Sequence, residues 1–114
     1  MMTDIDAEDQ KIITLARGAK SRVNAEQGAA VRDTTGRTYS SANVSIGELH
    51  LSAIVLATAQ AVASGAQGIE AVALCAHDAA ISDEDRAVVL AVSGTSVPIF
   101  VSNATGDVID VVPA

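Results

Sequence analysis

Three groupings of side chains in this 114-residue sequence have the types and spacing for chemistry. Cys75, His77 and Asp78 lie within four positions, where a thiol and an imidazole suit two metal ligands or a nucleophile with its base. Ser52 places a hydroxyl within a helix-like run and Ser82 one ahead of another, and Asp83, Glu84 and Asp85 follow Ser82. His50 stands two residues before Ser52. Each grouping also has a plainer reading. Side chains at neighbouring strand positions point apart, so Cys75 reads as a buried structural thiol beside an exposed His77. Neither serine sits in a Gly-x-Ser-x-Gly elbow. Ser82 fits a helix N-cap, and three acids in the first turn suit the helix dipole without any cation. No glycine-rich loop precedes a Lys-Ser or Lys-Thr pair.

The elements that must position these groups follow from hydrophobic period and turn residues. Asp4, Asp6, Glu8 and Asp9 open a segment in which Ile12, Leu15, Ala16, Ala19 and Val23 recur at helical steps. Two β-prone runs, 27–32 and 37–42, flank a turn at 33–36 that ends in Gly36. A helix is expected over 47–64, apolar nearly all round and closed by Gly65. Residues 69–75 form a buried strand, and Ser82 caps a helix that stops near Gly94. Strands over 97–101 and 108–112 enclose a turn at 103–107, with Pro113 ending the last strand. The expected order is helix, strand, strand, helix, strand, helix, strand, strand. The length suits a single domain, 1–114, with one site.

Composition narrows the function classes. The net charge of −7 repels phosphate backbones, and Tyr39 and Phe100 are the sole aromatics, so autonomous nucleic-acid binding is not expected. A basic protein surface is the easier partner. The apolar run from residue 51 to 63 is too short and too polar to cross a bilayer, and no signal-like segment opens the chain. Together with the lone Cys75, these features read as a cytoplasmic protein. A core of Ala, Val, Ile and Leu brings helices and strands close together.

Several strings taken in order resemble the homotetrameric cytidine deaminase family over nearly the whole chain. Gly28-Ala29-Ala30-Val31 is similar to a Val-Gly-Ala-Ala strand of that family, and 33–36 to its acidic Gly turn. Ala42-Asn43-Val44 is similar to a Cys-Asn-Val segment that leads into the zinc helix, and Ala61 to Gly65 and Val97 to Val101 follow at matching places. The resemblance implies a three-layer α/β/α domain with a mixed five-stranded sheet. It also implies where zinc would sit, since such deaminases use Cys or His, any residue and Glu at one helix start and Pro-Cys-x-x-Cys at the next. By spacing, the first motif falls on Ser52-Ala53-Ile54 and the second on residues 81–85. Ser52, Ser82 and Asp85 thus stand at the three ligand positions and Ile54 at that of the catalytic Glu.

Two hydroxyls and a carboxylate are not the donors a catalytic zinc takes, and Ile54 has no proton to move. No catalytic residue and no cofactor are therefore expected. Asn43 and Ser45 match the family's ribose-holding Asn-x-Glu, with the Asn kept and the Glu replaced, so Asn43 is a candidate nucleoside contact or a loop-fixing Asn. The expected function is a non-catalytic deaminase relative, a scaffold or binding protein with weak nucleoside binding. It is expected to form a homo-oligomer, dimer or tetramer, and to accept a protein partner. Two alternatives stand beside it. One is a nucleoside deaminase with an atypical metal set, His50, Cys75 and His77 with Asp85. The other is a regulatory subunit of a larger complex, such as one with a translation or ribosome-assembly factor.

Overall fold

The computed structural model describes residues 5–114. Its elements run α1 (Ala7–Arg22), β1 (Gln27–Asp33), β2 (Thr38–Ala42), β3 (Val44–Ile46), β4 (Leu49–Leu51), α2 (Ala53–Ala63), β5 (Ile69–Ala76), α3 (Asp83–Ser93), β6 (Pro98–Ser102) and β7 (Val108–Pro113). Five strands form one mixed sheet in the order β2-β1-β5-β6-β7, with β5 and β6 parallel and the other pairs antiparallel. The mixed five-stranded sheet and the three-layer arrangement are as the sequence leads one to expect.

Side-chain alternation along the central strand divides the core. Val72, Leu74 and Ala76 of β5 join Ile54, Ala57 and Ala61 of α2 and Val89 of α3 on one face. Ala71, Ala73 and Cys75 point the other way, onto Ile12, Ile13 and Ala16 of α1. With both faces covered, β5 is apolar at nearly every position, as buried central strands are. The small residues let α1 lie directly on the sheet. At Gly28 a Cβ atom would come within 2.0 Å of the Ala16 carbonyl oxygen, so that position admits no larger residue. Arg32 ties the same helix to the sheet, pairing with Asp9 at 3.0 Å and with Glu70.

Helix ends follow local signals closely. Asp6 caps α1, with the Glu8 N–H donating to its carboxylate, and Gly94 at φ 70° ends α3 in the left-handed conformation. Asp4 lies outside the described residues. Val23 forms the C-cap of α1 and is exposed, because the helix stops before the residue could turn inward.

The largest departure is at 44–52. The expected helix over 47–64 begins only at Ala53, and the residues before it form the hairpin β3–β4, pairing Ser45 with His50 across a turn at Gly47. Gly47 at φ 57° supplies the left-handed turn, and Ser52 remains extended as the N-cap. Within the domain this apolar helix is enclosed on one side only: Ala53, Ile54, Ala57, Thr58 and Ala61 are buried while Val62 is exposed.

Candidate functional site

The N-termini of α2 and α3 meet, and two serines shape their ends. Ser52 Oγ accepts from the Val55 N–H at 3.1 Å, and Ser82 Oγ accepts from the Asp85 N–H at 3.1 Å. In a capping box the carboxylate three residues after the cap folds back on its own helix. Asp85 is directed elsewhere: its Oδ1 accepts from Ser52 Oγ at 2.6 Å, across 33 positions of sequence. Asp85 is only 3% exposed, and among the described residues no Lys, Arg or His forms an ion pair with it. The three positions assigned by resemblance to zinc ligands therefore come together. Ile54 is fully buried and belongs to the hydrophobic core.

Beside this cluster lies an open groove of about 790 Å³ whose wall includes Gln27, Asn43, Ser45, His50, Ser52 and Glu84. Asn43 is occupied by the fold: its Oδ1 accepts from the Gln27 N–H at 2.9 Å, and its own N–H donates to the Gln27 carbonyl at 3.2 Å. Gln27 in turn accepts from the Ala53 N–H through Oε1 at 3.2 Å, coupling β1 to the start of α2. Ser45 Oγ and His50 Nδ1 are 2.9 Å apart on exposed strands. Sequence reasoning missed Gln27, whose role depends on the β1–β2 register and leaves no local mark.

The other metal candidates are dispersed. Cys75 lies on the α1 side of the sheet, fully buried, with Sγ donating to the Asn103 carbonyl at 3.2 Å. His77 and Asp78 lie in the turn after β5 and line a smaller cavity of about 390 Å³, shared with Glu26 and Gln27. His50 lines the open groove instead. Strand alternation sends Cys75 to the face opposite α2 and α3, so His50, Cys75, His77 and Asp85 do not assemble into one site. Among the described residues no group of three or more His, Cys, Asp or Glu is placed to hold a metal ion.

A further polar network closes the far end of the β1–β2 turn. Asp33 Oδ1 accepts from the Thr35 N–H and hydroxyl and from the Arg37 N–H, and Oδ2 accepts from the Tyr39 hydroxyl at 3.1 Å. Burial by itself pushes the Asp33 carboxyl up, but these hydrogen bonds together outweigh it and hold the group below its ordinary range. Burial and the neighbouring carboxylate push the Tyr39 phenol up. Both oxygens are engaged by the chain itself, so this network is structural.

Residues 5–106 match the family model described as cytidine deaminase-like. No curated protein matches the chain. Among solved structures, the chain is similar to the cytidine deaminase from Burkholderia pseudomallei, with a TM-score of 0.80 at 23% identity and 90% of each chain covered. The cytidine deaminase from Bacillus anthracis superposes with a TM-score of 0.73 at 16% identity, covering 95% of this chain and 84% of that one. For the cytidine deaminase from Mycobacterium leprae the TM-score is 0.69 at 19% identity, with 95% and 94% covered. At these identities the likeness speaks for the fold.

Proposed function

The chain belongs to the cytidine deaminase-like family, and on that premise we propose that it is a non-catalytic member, a single-domain binding or scaffold protein that works without zinc. The observation that carries the reading is the hydrogen bond from Ser52 to Asp85. A catalytic zinc takes three protein ligands, drawn from thiolate, imidazole and carboxylate, at about 2.0 to 2.3 Å and leaves a fourth position for water. Here two of the three positions are neutral hydroxyls. One hydroxyl, that of Ser52, donates its proton in a hydrogen bond to Asp85, and both already accept from the backbone of their own helices. That donor set does not fit the metal. No step of a hydrolytic mechanism is therefore derived through it.

Ile54 supports the same reading. A deaminase moves a proton between water and the leaving amine on a carboxylate at this place, and an aliphatic side chain buried in the core can neither accept nor donate it. What remains is an open groove with hydroxyl, amide and imidazole groups in its wall, wide enough to admit a small molecule such as a nucleoside. Self-association into a dimer or tetramer belongs to the proposal. It is favoured by Ile46, Leu49 and Val62, which are 71%, 51% and 50% exposed on the hairpin and α2. Among the described residues no helix is long and apolar enough to cross a membrane.

Elemental analysis of protein purified without chelators, with an assay for ammonia release from cytidine on the same sample, tests the proposal. The expected result is no stoichiometric zinc and no turnover. About one zinc per chain together with turnover would overturn it. Light scattering tests the assembly, and a monomeric mass would remove that part.

A further inference from the structure

The two edges of the sheet carry a pattern of hydrogen bonds that neither the groove nor the core requires. An edge strand presents backbone N–H and C=O groups ready to pair with another strand, and it recruits further chains unless something blocks it. Among the described residues no strand pairs with the outer side of β2 or of β7. In an antiparallel pair, residues alternate between those bonded to the partner strand and those whose backbone groups point away from it. The Asn43 N–H donates to the Gln27 carbonyl, and the Ala114 N–H to the Val97 carbonyl. In steps of two from those bonds, Ser40 and Ala42 of β2 and Val111 and Pro113 of β7 turn their backbone groups outward.

Side chains of the chain itself occupy outward groups on both edges. Gln60 of α2 donates through Nε2 to the Ser40 carbonyl at 3.1 Å, and the Ser41 hydroxyl donates to the Ala42 carbonyl at 2.9 Å. On the opposite edge the Val111 N–H donates to Asp110 Oδ1 at 2.9 Å, and Pro113 has no N–H to offer.

The block matters most at β7. Residues 108–112 read Val-Ile-Asp-Val-Val, β-branched side chains around a single charge, with Ile109 and Val111 exposed. Without that charge, such a run has the composition of segments that pair edge to edge. β2, with Thr38, Ser40 and Ser41, is the more polar edge. Two copies meeting antiparallel at the middle of β7 would also bring their Asp110 carboxylates to diagonal positions, where like charges repel.

We infer that Asp110 is a guard residue: its carboxylate, seated on the outward Val111 N–H, closes the β7 edge against strand addition by a second copy of this chain. Self-association is thereby left to the hairpin and α2. The inference depends neither on that assembly nor on the non-catalytic reading, since it concerns the backbone groups of the sheet edge alone.

The test compares D110A, D110N and E8Q by light scattering and sedimentation velocity over a range of concentrations, with amide hydrogen exchange over residues 108–113. D110A removes acceptor and charge together, whereas D110N keeps an acceptor and removes the charge. E8Q makes the same charge change on α1, outside the sheet. D110A is expected to associate at concentrations about tenfold or more below those at which the unaltered chain gains the same mass, with exchange slowed over 108–113. D110N should fall between the two, and E8Q should match the unaltered chain. Adding V111P to D110A removes the outward N–H while leaving the bonds to β6, and it should restore the unaltered mass. An unchanged D110A, association of E8Q equal to that of D110A, or association that survives V111P would each overturn the inference. If the double variant does not fold, exchange in D110A decides, and slowing confined to residues outside 108–113 overturns it as well. Failure of the proposed dimer or tetramer shows in the mass of the unaltered chain, whereas failure of this inference shows in its difference from D110A.

Discussion

Restoring the family's carboxylate at Ile54 is the most discriminating perturbation of this fold. Ile54 is fully buried at the first turn of α2, in the core cluster that includes Ala29, Val72 and Leu74. Ile54→Ala removes buried methyl and methylene groups and leaves a cavity, for which about 3 to 4 kcal/mol is expected. Unfolding entropy near 60 °C is about 2.1 cal/mol/K per residue, so over 114 residues each kcal/mol moves the midpoint by about 4 °C. The variant is expected to melt about 12 to 16 °C below the unaltered protein. Ile54→Glu loses the same contacts and also buries an acid, which adds several kcal/mol. The total approaches the whole stability of a small domain, about 5 to 15 kcal/mol. Burial raises the pKa of the introduced acid in the folded state above its unfolded value. The folded protein then holds the extra proton, and stability falls as pH rises. Thermal and urea denaturation at pH 5 and pH 8 read both effects, with Ile54→Glu weaker at pH 8. An Ile54→Glu protein within about 1 kcal/mol of the unaltered one at pH 8 would refute the reasoning, because the side chain would then be reaching a hydrated, polar site.

Other expectations are shorter to state. Asp33 is held below its ordinary value of 3.8 in the folded chain, so its contribution is full above that value and is lost as pH falls through the lower, folded one. Urea midpoints from pH 3 to pH 7 should show a D33N penalty that shrinks at the acid end, and a penalty independent of pH would contradict this account. Gly28→Val drives side-chain atoms into the backbone of α1 at Ala16 and Lys20, so loss of about 3 kcal/mol or more is expected in urea, and a neutral outcome would mean that α1 does not lie on β1 as described. Cys75 is fully buried, so a thiol reagent should label it only in denaturant, and labelling of the native chain would move it out of the core.

Much of this protein is determined by sequence alone because many of its signals are local. Ser82 with Asp83 to Asp85, Gly94 after α3 and Gly36 in the first turn each act within a few residues, and the places of the strands along the chain follow from runs that are apolar over several positions. The strings around Gly28 and Val97 carry the family resemblance in the same linear way. The 44–52 segment was not legible. Its apolar residues fit a helix or a short hairpin equally, and the choice falls to Gly47 at positive φ and to the pairing of Ser45 with His50. Tertiary structure alone decided the rest of the site. The family resemblance already implied that Ser52 and Asp85 share one site, but the fold made their contact a direct hydrogen bond and tied Gln27 to Asn43 and to the start of α2, while strand alternation turned Cys75 to the opposite face. Such contacts depend on register and on how helices pack across a sheet, and no spacing along the chain encodes the partner of a side chain that reaches over 33 residues.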